Sequence, residues 1–246
     1  VTSSIDVLIP SRQRASLLDR AVQSLWENAT DKERVKYLVA VDQNDPELST
    51  YQQLNCSELI FARRLGYEFL HSYYNGLAAW PLYSGDWMLL WNDDAMMLTE
   101  GWDDIIAAED HTVPNVLNFT GELNLFPAVS RPFYDVLGHL SLQCHTDTWI
   151  QEVARAARIE KPLMGKIQID HVRERIDDET KRATQRLYEV TSPAFMSDEM
   201  KRLRTEDVKK IQGAMNCIEN KEIQQEIEDG VAEAKAWVHR DIGEAT

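Results

Sequence analysis

The sequence predicts an α/β fold, a mostly parallel sheet flanked by helices with a helical C-terminal extension. Three observations carry this. Short continuous apolar runs alternate with stretches of helical spacing through the first half of the chain. One of these runs, Trp87-Met88-Leu89-Leu90-Trp91, stops abruptly at Asn92-Asp93-Asp94. From about Asp198 to Arg240 the chain is charged, with apolar residues recurring at helical spacing. Alternation of strand and helix implies parallel strands joined by right-handed crossovers.

Taken in order, Ile5-Asp6-Val7-Leu8-Ile9-Pro10 reads as a first buried strand, and Ser11-Arg12-Gln13-Arg14 as a polar loop. Ser16 to Asp19 resembles a capping box, and Leu17, Leu18, Ala21, Val22, Leu25 and Trp26 continue with helical spacing. Tyr37 to Val41 is a second strand, ending at Asp42-Gln43-Asn44-Asp45-Pro46, and Leu59-Ile60-Phe61 a short third. Gly66 to Ala79 reads as a helix with Pro81 beyond its end. Val116 to Phe119 is a further strand, and Phe126 to Leu140 mixes loop with short elements. A helix is expected from near Asp147, then a short strand Ile167-Gln168-Ile169 leading to Asp170-His171. In the tail, Leu203, Val208, Ile211, Met215, Ile218, Ile223, Ile227 and Val231 form a stripe. Such a stripe packs on the domain or on a partner helix, which admits a homo-oligomer through the C-terminal helices. The expected division is a catalytic-type domain over residues 1–178 and a helical extension over 179–246.

Bulk composition narrows the function classes. A length of 246 residues suits one large domain with an appendage, and 43% hydrophobic residues suffice for a core. A formal net charge of −15 disfavours a broad nucleic-acid surface or attachment to anionic membranes. Cys56, Cys144 and Cys217 lie far apart without metal-ligand spacing, which points to a reducing compartment and no disulfide framework. No apolar run reaches the length of a membrane span, and no signal segment is visible. A cytoplasmic protein is expected.

The chemistry concentrates at strand ends. A buried strand ending in Asp93-Asp94 puts charge at the carboxyl edge of the sheet, where open α/β folds bind ligands. Adjacent carboxylates repel unless a cation lies between them. Mn2+ or Mg2+ suits oxygen ligands and bridges to phosphate oxygens. The alternative is a loop with two solvated acids. Pro10-Ser11-Arg12 follows the first strand, and Asp42 ends the second. A carboxylate there can accept from the N–H of a base, and Arg12 can meet a phosphate or ribose. Equally, Asp42 can be a turn residue and Arg12 a solvated charge.

This order of features resembles the family 2 nucleotide-sugar glycosyltransferases with the GT-A (Rossmann-like) fold. The resemblance covers roughly residues 5 to 175. It rests on Ile5 to Arg12, Val39-Ala40-Val41-Asp42, Arg64-Leu65-Gly66 leading to Asn75-Gly76, Asn92-Asp93-Asp94, and Gly101-Trp102-Asp103. Asn92 stands where the family's Asp-x-Asp element has its first acid. The resemblance implies that Asp94 is the metal ligand, that Asp93, Pro10, Ser11 and Arg12 face the donor, and that Asp42 contacts the nucleobase. It also places Arg64 near the donor phosphates and assigns Asn75 to the donor site. Asp103 and Asp104 are read as first-turn helix acids that complement the dipole.

Two later constellations complete the set. Transfer of a sugar to a hydroxyl needs a base. In inverting members it is an Asp or Glu opening a helix, the place held by Asp147 in His145-Thr146-Asp147-Thr148-Trp149. An N-cap or first-turn role is the alternative, and His145 would orient Asp147 or meet the acceptor. His171 occupies the place of a further metal ligand. Arg173 and Arg175 would close over phosphates or pair along a helix face. The implied activity is metal-dependent transfer of a sugar from a nucleotide-diphosphate donor, by family frequency a UDP-sugar, to a hydroxyl acceptor. The implied acceptor is a saccharide, with hydroxymethylated bases in DNA as an alternative. A nucleotidyltransferase would normally need glycines after the first strand, which Pro10 to Arg14 lacks. A non-catalytic interaction module is the remaining class.

Overall fold

The computed structural model describes residues 3–172 apart from 55 and 83, and residues 182, 185, 189, 191–218 and 221. Its elements follow in chain order. Strand β1 is Ile5–Ser11, helix α1 Ala15–Asn28, β2 Val35–Asp42, and α2 Leu48–Tyr51. Next come β3 Glu58–Ala62, α3 Leu70–Ala78, β4 Trp87–Leu90, β5 Ala95–Met97 and α4 Trp102–Ala107. Then β6 Val116–Asn118, β7 Ala128–Ser130, α5 Arg131–Leu137, α6 Thr146–Ala157, β8 Glu160–Pro162 and β9 Ile169–His171. Residues 198–218 are helical.

A seven-stranded sheet has the order β3-β2-β1-β4-β7-β6-β8. β1 pairs in parallel with β2 and β4, β2 with β3, and β6 with β8; β7 alone runs antiparallel to both of its neighbours. The strands are apolar runs because helices cover both faces. Ile5, Val7, Ile9, Val39, Trp87 and Leu89 face a layer that includes Leu18, Leu25 and Trp102. Leu8, Leu38, Ala40, Met88 and Leu90 face a layer that includes Leu77, Phe133, Trp149 and Val153. At the amino end, the Gly85 N–H donates to Asp6 (2.6 Å), and a Cβ on Gly85 would lie 2.7 Å from the Asp6 carboxyl carbon. A glycine is needed there for β4 to start beside β1.

The structure shifts several expected boundaries. Helix α1 begins at Ala15, one residue before the expected capping box. Its first N–H donates to the Glu47 carboxylate (2.8 Å), so the cap comes from a distant loop. The Gly66 to Ala79 stretch divides into a 3-10 turn over Tyr67–Phe69 and α3, with Gly66 outside at φ 89°. The last expected strand moves two residues on, so that it includes His171 itself. Asp103 and Asp104 do occupy the first turn of α4, and Asp103 also accepts from the N–H groups of Thr30 and Asp31 (2.7 and 3.0 Å).

The C-terminal stripe packs on the domain where it is described. Ile211 is fully buried, and Leu203, Val208 and Met215 lie against the α6 side of the core. Arg204 stacks over Phe195 and Trp149 and pairs with Glu152 of α6 (2.7 Å). Buried Asp207 accepts from His139 Nε2 (2.9 Å) and from the Trp149 indole N–H (3.1 Å). The junction at 178/179 and the stripe positions Ile223, Ile227 and Val231 lie outside the described residues. Among those described, no helix is long and apolar enough to cross a membrane.

Burial raises the Asp207 carboxyl, but His139, the Trp149 N–H and Lys210 outweigh it and hold the group below its ordinary 3.8. A lowered carboxyl stabilises the fold above its unfolded pKa, and that contribution fades as pH falls through the folded value. Asp207→Ala is therefore expected to lower unfolding free energy by about 1–3 kcal/mol at neutral pH, through buried donors left unpaired. In urea titrations the difference from the parent should shrink below pH 3.8. An equal difference at all pH values would assign the effect to packing instead.

Candidate active site

One pocket opens at the carboxyl ends of β1, β2 and β4. Pro10, Ser11, Arg12, Asp42, Arg64, Asp93, Asp94, Asp147 and His171 all line it. Parallel β1, β2 and β4 deliver their following loops to the same edge, which is why residues far apart in sequence meet there. Asn75 stands apart from the expected donor role. Its amide donates to the Ser141 carbonyl (2.8 Å) and accepts from the Leu140 N–H (2.8 Å), clasping α3 to the loop before α6. Arg173 and Arg175 lie outside the described residues.

Asp42 is the last residue of β2 and opens the turn after it, its carbonyl accepting from the Asp45 N–H (3.0 Å), and it is nearly fully buried. Its carboxylate accepts from Arg12 (2.7 Å) and from the Tyr73 hydroxyl (2.5 Å). Burial, with the Asp42 charge and hydrogen bond, pushes the Tyr73 phenol up to about 12. Asp42 thus fixes two donors that line the same pocket. Arg64 sits exposed at the mouth.

Asp93 and Asp94 occupy the turn between β4 and β5, and both are buried, which excludes the solvated-loop alternative. The charge between them is a side chain. Arg14 Nη1 contacts Asp93 Oδ1 (3.1 Å) and Asp94 Oδ2 (2.9 Å). The Ser11 hydroxyl donates to the other Asp93 oxygen (2.7 Å). Burial raises the Asp93 carboxyl to about 6, with Arg14 and Ser11 opposing and Asp94 adding to the rise. Sequence reasoning left Arg14 out of the site. A basic residue in a polar loop carries no mark of partners that lie 79 and 80 positions on.

His171 reaches this cluster through a second, two-stranded sheet. β5 pairs antiparallel with β9, in a register that sets Ala95 opposite His171. His171 Nε2 then lies 3.1 Å from Asp94 Oδ1, and its ring meets Phe126 edge-on. One carboxylate and one imidazole form a donor set suited to Mn2+ or a similar ion. Among the described residues no group of three or more His, Cys, Asp or Glu could hold a metal. An ion held by this pair would need its other ligands from outside the protein, as Mg2+-type sites commonly take them.

Asp147 sits in the first turn of α6, with His145 as the residue before the helix. Its Oδ1 accepts from the Thr148 N–H (2.8 Å), and burial raises its carboxyl above 3.8. Leu125, Cys144 and Thr146 share that wall of the pocket. His145 is not among the lining residues; its Nε2 faces the Thr191 hydroxyl (3.0 Å), and its ring meets Phe195 edge-on.

The Tyr73 hydroxyl is the second fixed partner of Asp42. Tyr73→Phe keeps the ring and is expected to lower unfolding free energy by about 0.5–1.5 kcal/mol. A urea midpoint equal to the parent's would show that the short contact adds nothing to stability.

No protein-family model matches the chain, and no curated protein matches it in sequence. Solved structures do match. S. aureus TarS 1–349 in complex with UDP matches at 14% identity and a TM-score of 0.52, over 80% of this chain and 73% of that one. The same protein in complex with UDP-GlcNAc matches at 12% identity and 0.52, over 84% and 72%. The mannosyltransferase PcManGT from Pyrobaculum calidifontis, in complex with GDP-Man and Mn2+, matches at 12% and 0.48, over 67% of this chain. The chain spans 55% of the length of PcManGT. The mostly parallel sheet with flanking helices matches the TarS structures: the chain has the GT-A type of nucleotide-sugar glycosyltransferase fold.

Proposed function

We propose that this chain is a metal-assisted glycosyltransferase that moves a sugar from a nucleotide-diphosphate donor to a hydroxyl acceptor. The observation that carries the reading is the Asp94–His171 pair. Two residues 77 positions apart stand 3.1 Å from each other in one pocket with Asp42 and Asp147. A UDP-sugar donor is supported by TarS, whose matching structures hold UDP and UDP-GlcNAc.

Arg12, Asp42 and Tyr73 would hold the base, with the guanidinium and phenol already oriented by the carboxylate. Arg64 at the mouth would meet the diphosphate. An Mn2+ or Mg2+ ion held by Asp94 and His171 would supply positive charge against the negative charge growing on the departing diphosphate. The acceptor oxygen attacks the anomeric carbon as the sugar–phosphate bond breaks, and Asp147 takes the acceptor proton. The transition state has oxocarbenium character, and attack from the face opposite the leaving group inverts the anomeric centre. A saccharide is the acceptor class we favour over modified DNA, because a net charge of −15 opposes a nucleic-acid polymer.

A thermal-shift panel of nucleoside diphosphates with and without Mn2+ tests the reading, since a ligand specific to the native state raises its stability. UDP with Mn2+ should raise the midpoint, and no shift with any nucleotide would overturn the assignment. Asp94→Ala should abolish metal-dependent UDP binding in calorimetry while the chain still melts cooperatively. Undiminished metal-dependent affinity would remove Asp94 from the site.

Asp147→Asn keeps the shape and removes the basicity. Turnover should fall by about a hundredfold or more, with UDP-sugar and Mn2+ affinities nearly unchanged. A base must be ionised, and burial raises this carboxyl, so activity should be lost as pH falls while still above 3.8. Near-parental turnover in Asp147→Asn would make Asp147 a first-turn helix acid only.

A further inference from the structure

Arg14 is buried, contacts both acids of the Asp93–Asp94 pair, and lines the pocket. Its position is enforced. Gln13 before it adopts a left-handed φ of 54°, held by a hydrogen bond from its N–H to Asp45 (2.9 Å). The Arg14 N–H donates to the Tyr51 hydroxyl (3.0 Å), which also meets Ser11 (2.8 Å). Left-handed backbone in a non-glycine residue is unfavourable and persists only where its surroundings over-determine it.

We propose that Arg14 is the resident counter-ion of the acid pair and makes divalent metal binding depend on the nucleotide. The inference rests on the glycosyltransferase reading above. A guanidinium fixed against both carboxylates offsets part of their negative charge, and so weakens the pull on a free divalent ion. It contacts Asp94 Oδ2, while Oδ1 meets His171 Nε2. Metal arriving alone would meet the fixed positive charge of Arg14. Metal arriving with a diphosphate would meet it together with the phosphates, which add negative charge and further oxygen ligands. The fixed charge of Arg14 then opposes the free ion and favours the ion–nucleotide complex. By linkage, nucleotide tightens metal and metal tightens nucleotide by the same factor.

Manganese binding followed by electron paramagnetic resonance, with and without UDP, tests this on the full chain. The parent should bind Mn2+ weakly alone and about tenfold or more tighter with UDP, within the usual range of coupling between sites. Arg14→Met should bind free Mn2+ about tenfold tighter than the parent, with the UDP enhancement reduced towards unity. Arg14→Lys, which keeps the charge, should stay near the parent. Asp93→Asn removes one of the carboxylates against Arg14, so its free-Mn2+ affinity should fall below the parent's. This arm decides the matter should Arg14→Met not melt cooperatively. A parent that shows the UDP enhancement, with free-Mn2+ affinity unchanged in both Arg14→Met and Asp93→Asn, overturns the role of Arg14 and leaves the glycosyltransferase reading standing. A parent without any UDP enhancement removes the nucleotide–metal site and the inference together.

Discussion

The burial of two adjacent carboxylates at the end of β4 is the constraint on which the rest of the structure depends. Each unpaired buried carboxylate would cost several kcal/mol. The fold meets that cost from three directions. Arg14 arrives from the β1–α1 loop, Ser11 from the end of β1, and His171 from the β5–β9 ribbon. None of these would be in reach unless β1 paired in parallel with β4 and the ribbon held its register. The sheet order and the site are therefore one problem.

The same logic extends a shell outward. Arg14 is placed by Gln13 and Tyr51, and Gln13 is held by Asp45 in the loop after β2. Glu47 in that loop caps α1, whose first N–H has no local side-chain cap. Asp42 just before it holds Arg12 and Tyr73. The loops after β1 and β2 thus interlock through charged and polar pairs. A pocket wall held by its own pairs reduces the entropy cost of binding a ligand there.

How far the sequence could be read follows from where each piece of information lies. β1, β2 and β4 were legible because each is an apolar run wedged between two buried faces. The reversed direction of β7 was not, because Ala128–Ser130 is three residues long and its direction leaves no mark in so short a run. The start of α1 was misplaced because its cap comes from Glu47. Asp93, Asp94, Asp147 and His171 could be named from the order of motifs, and the structure gathers them in one pocket. Arg14 could not, since its partners are set by strand pairing and not by spacing. Asn75 illustrates the converse, a motif position whose side chain is occupied in joining two segments of backbone.

The two walls of the pocket differ in how they treat charge. On the β1–β2–β4 wall, Arg12, Arg14, Asp42, Asp93 and Asp94 are cross-paired, and burial still raises Asp93. On the α6 wall, Asp147 accepts from its neighbour Thr148, and Leu125 and Cys144 lie around it. Burial raises this carboxyl as well, opposed by the Thr148 hydrogen bond and by His145. For a binding group that rise would be a defect, but for a base it is useful, because a higher pKa takes a proton more readily near neutral pH. That wall needs a rigid helix to keep the carboxylate in place. Arg204, Phe195 and Asp207 brace α6 from behind through Glu152 and Trp149. The helical segment 198–218 thus packs behind α6, the helix that carries Asp147, without itself lining the pocket.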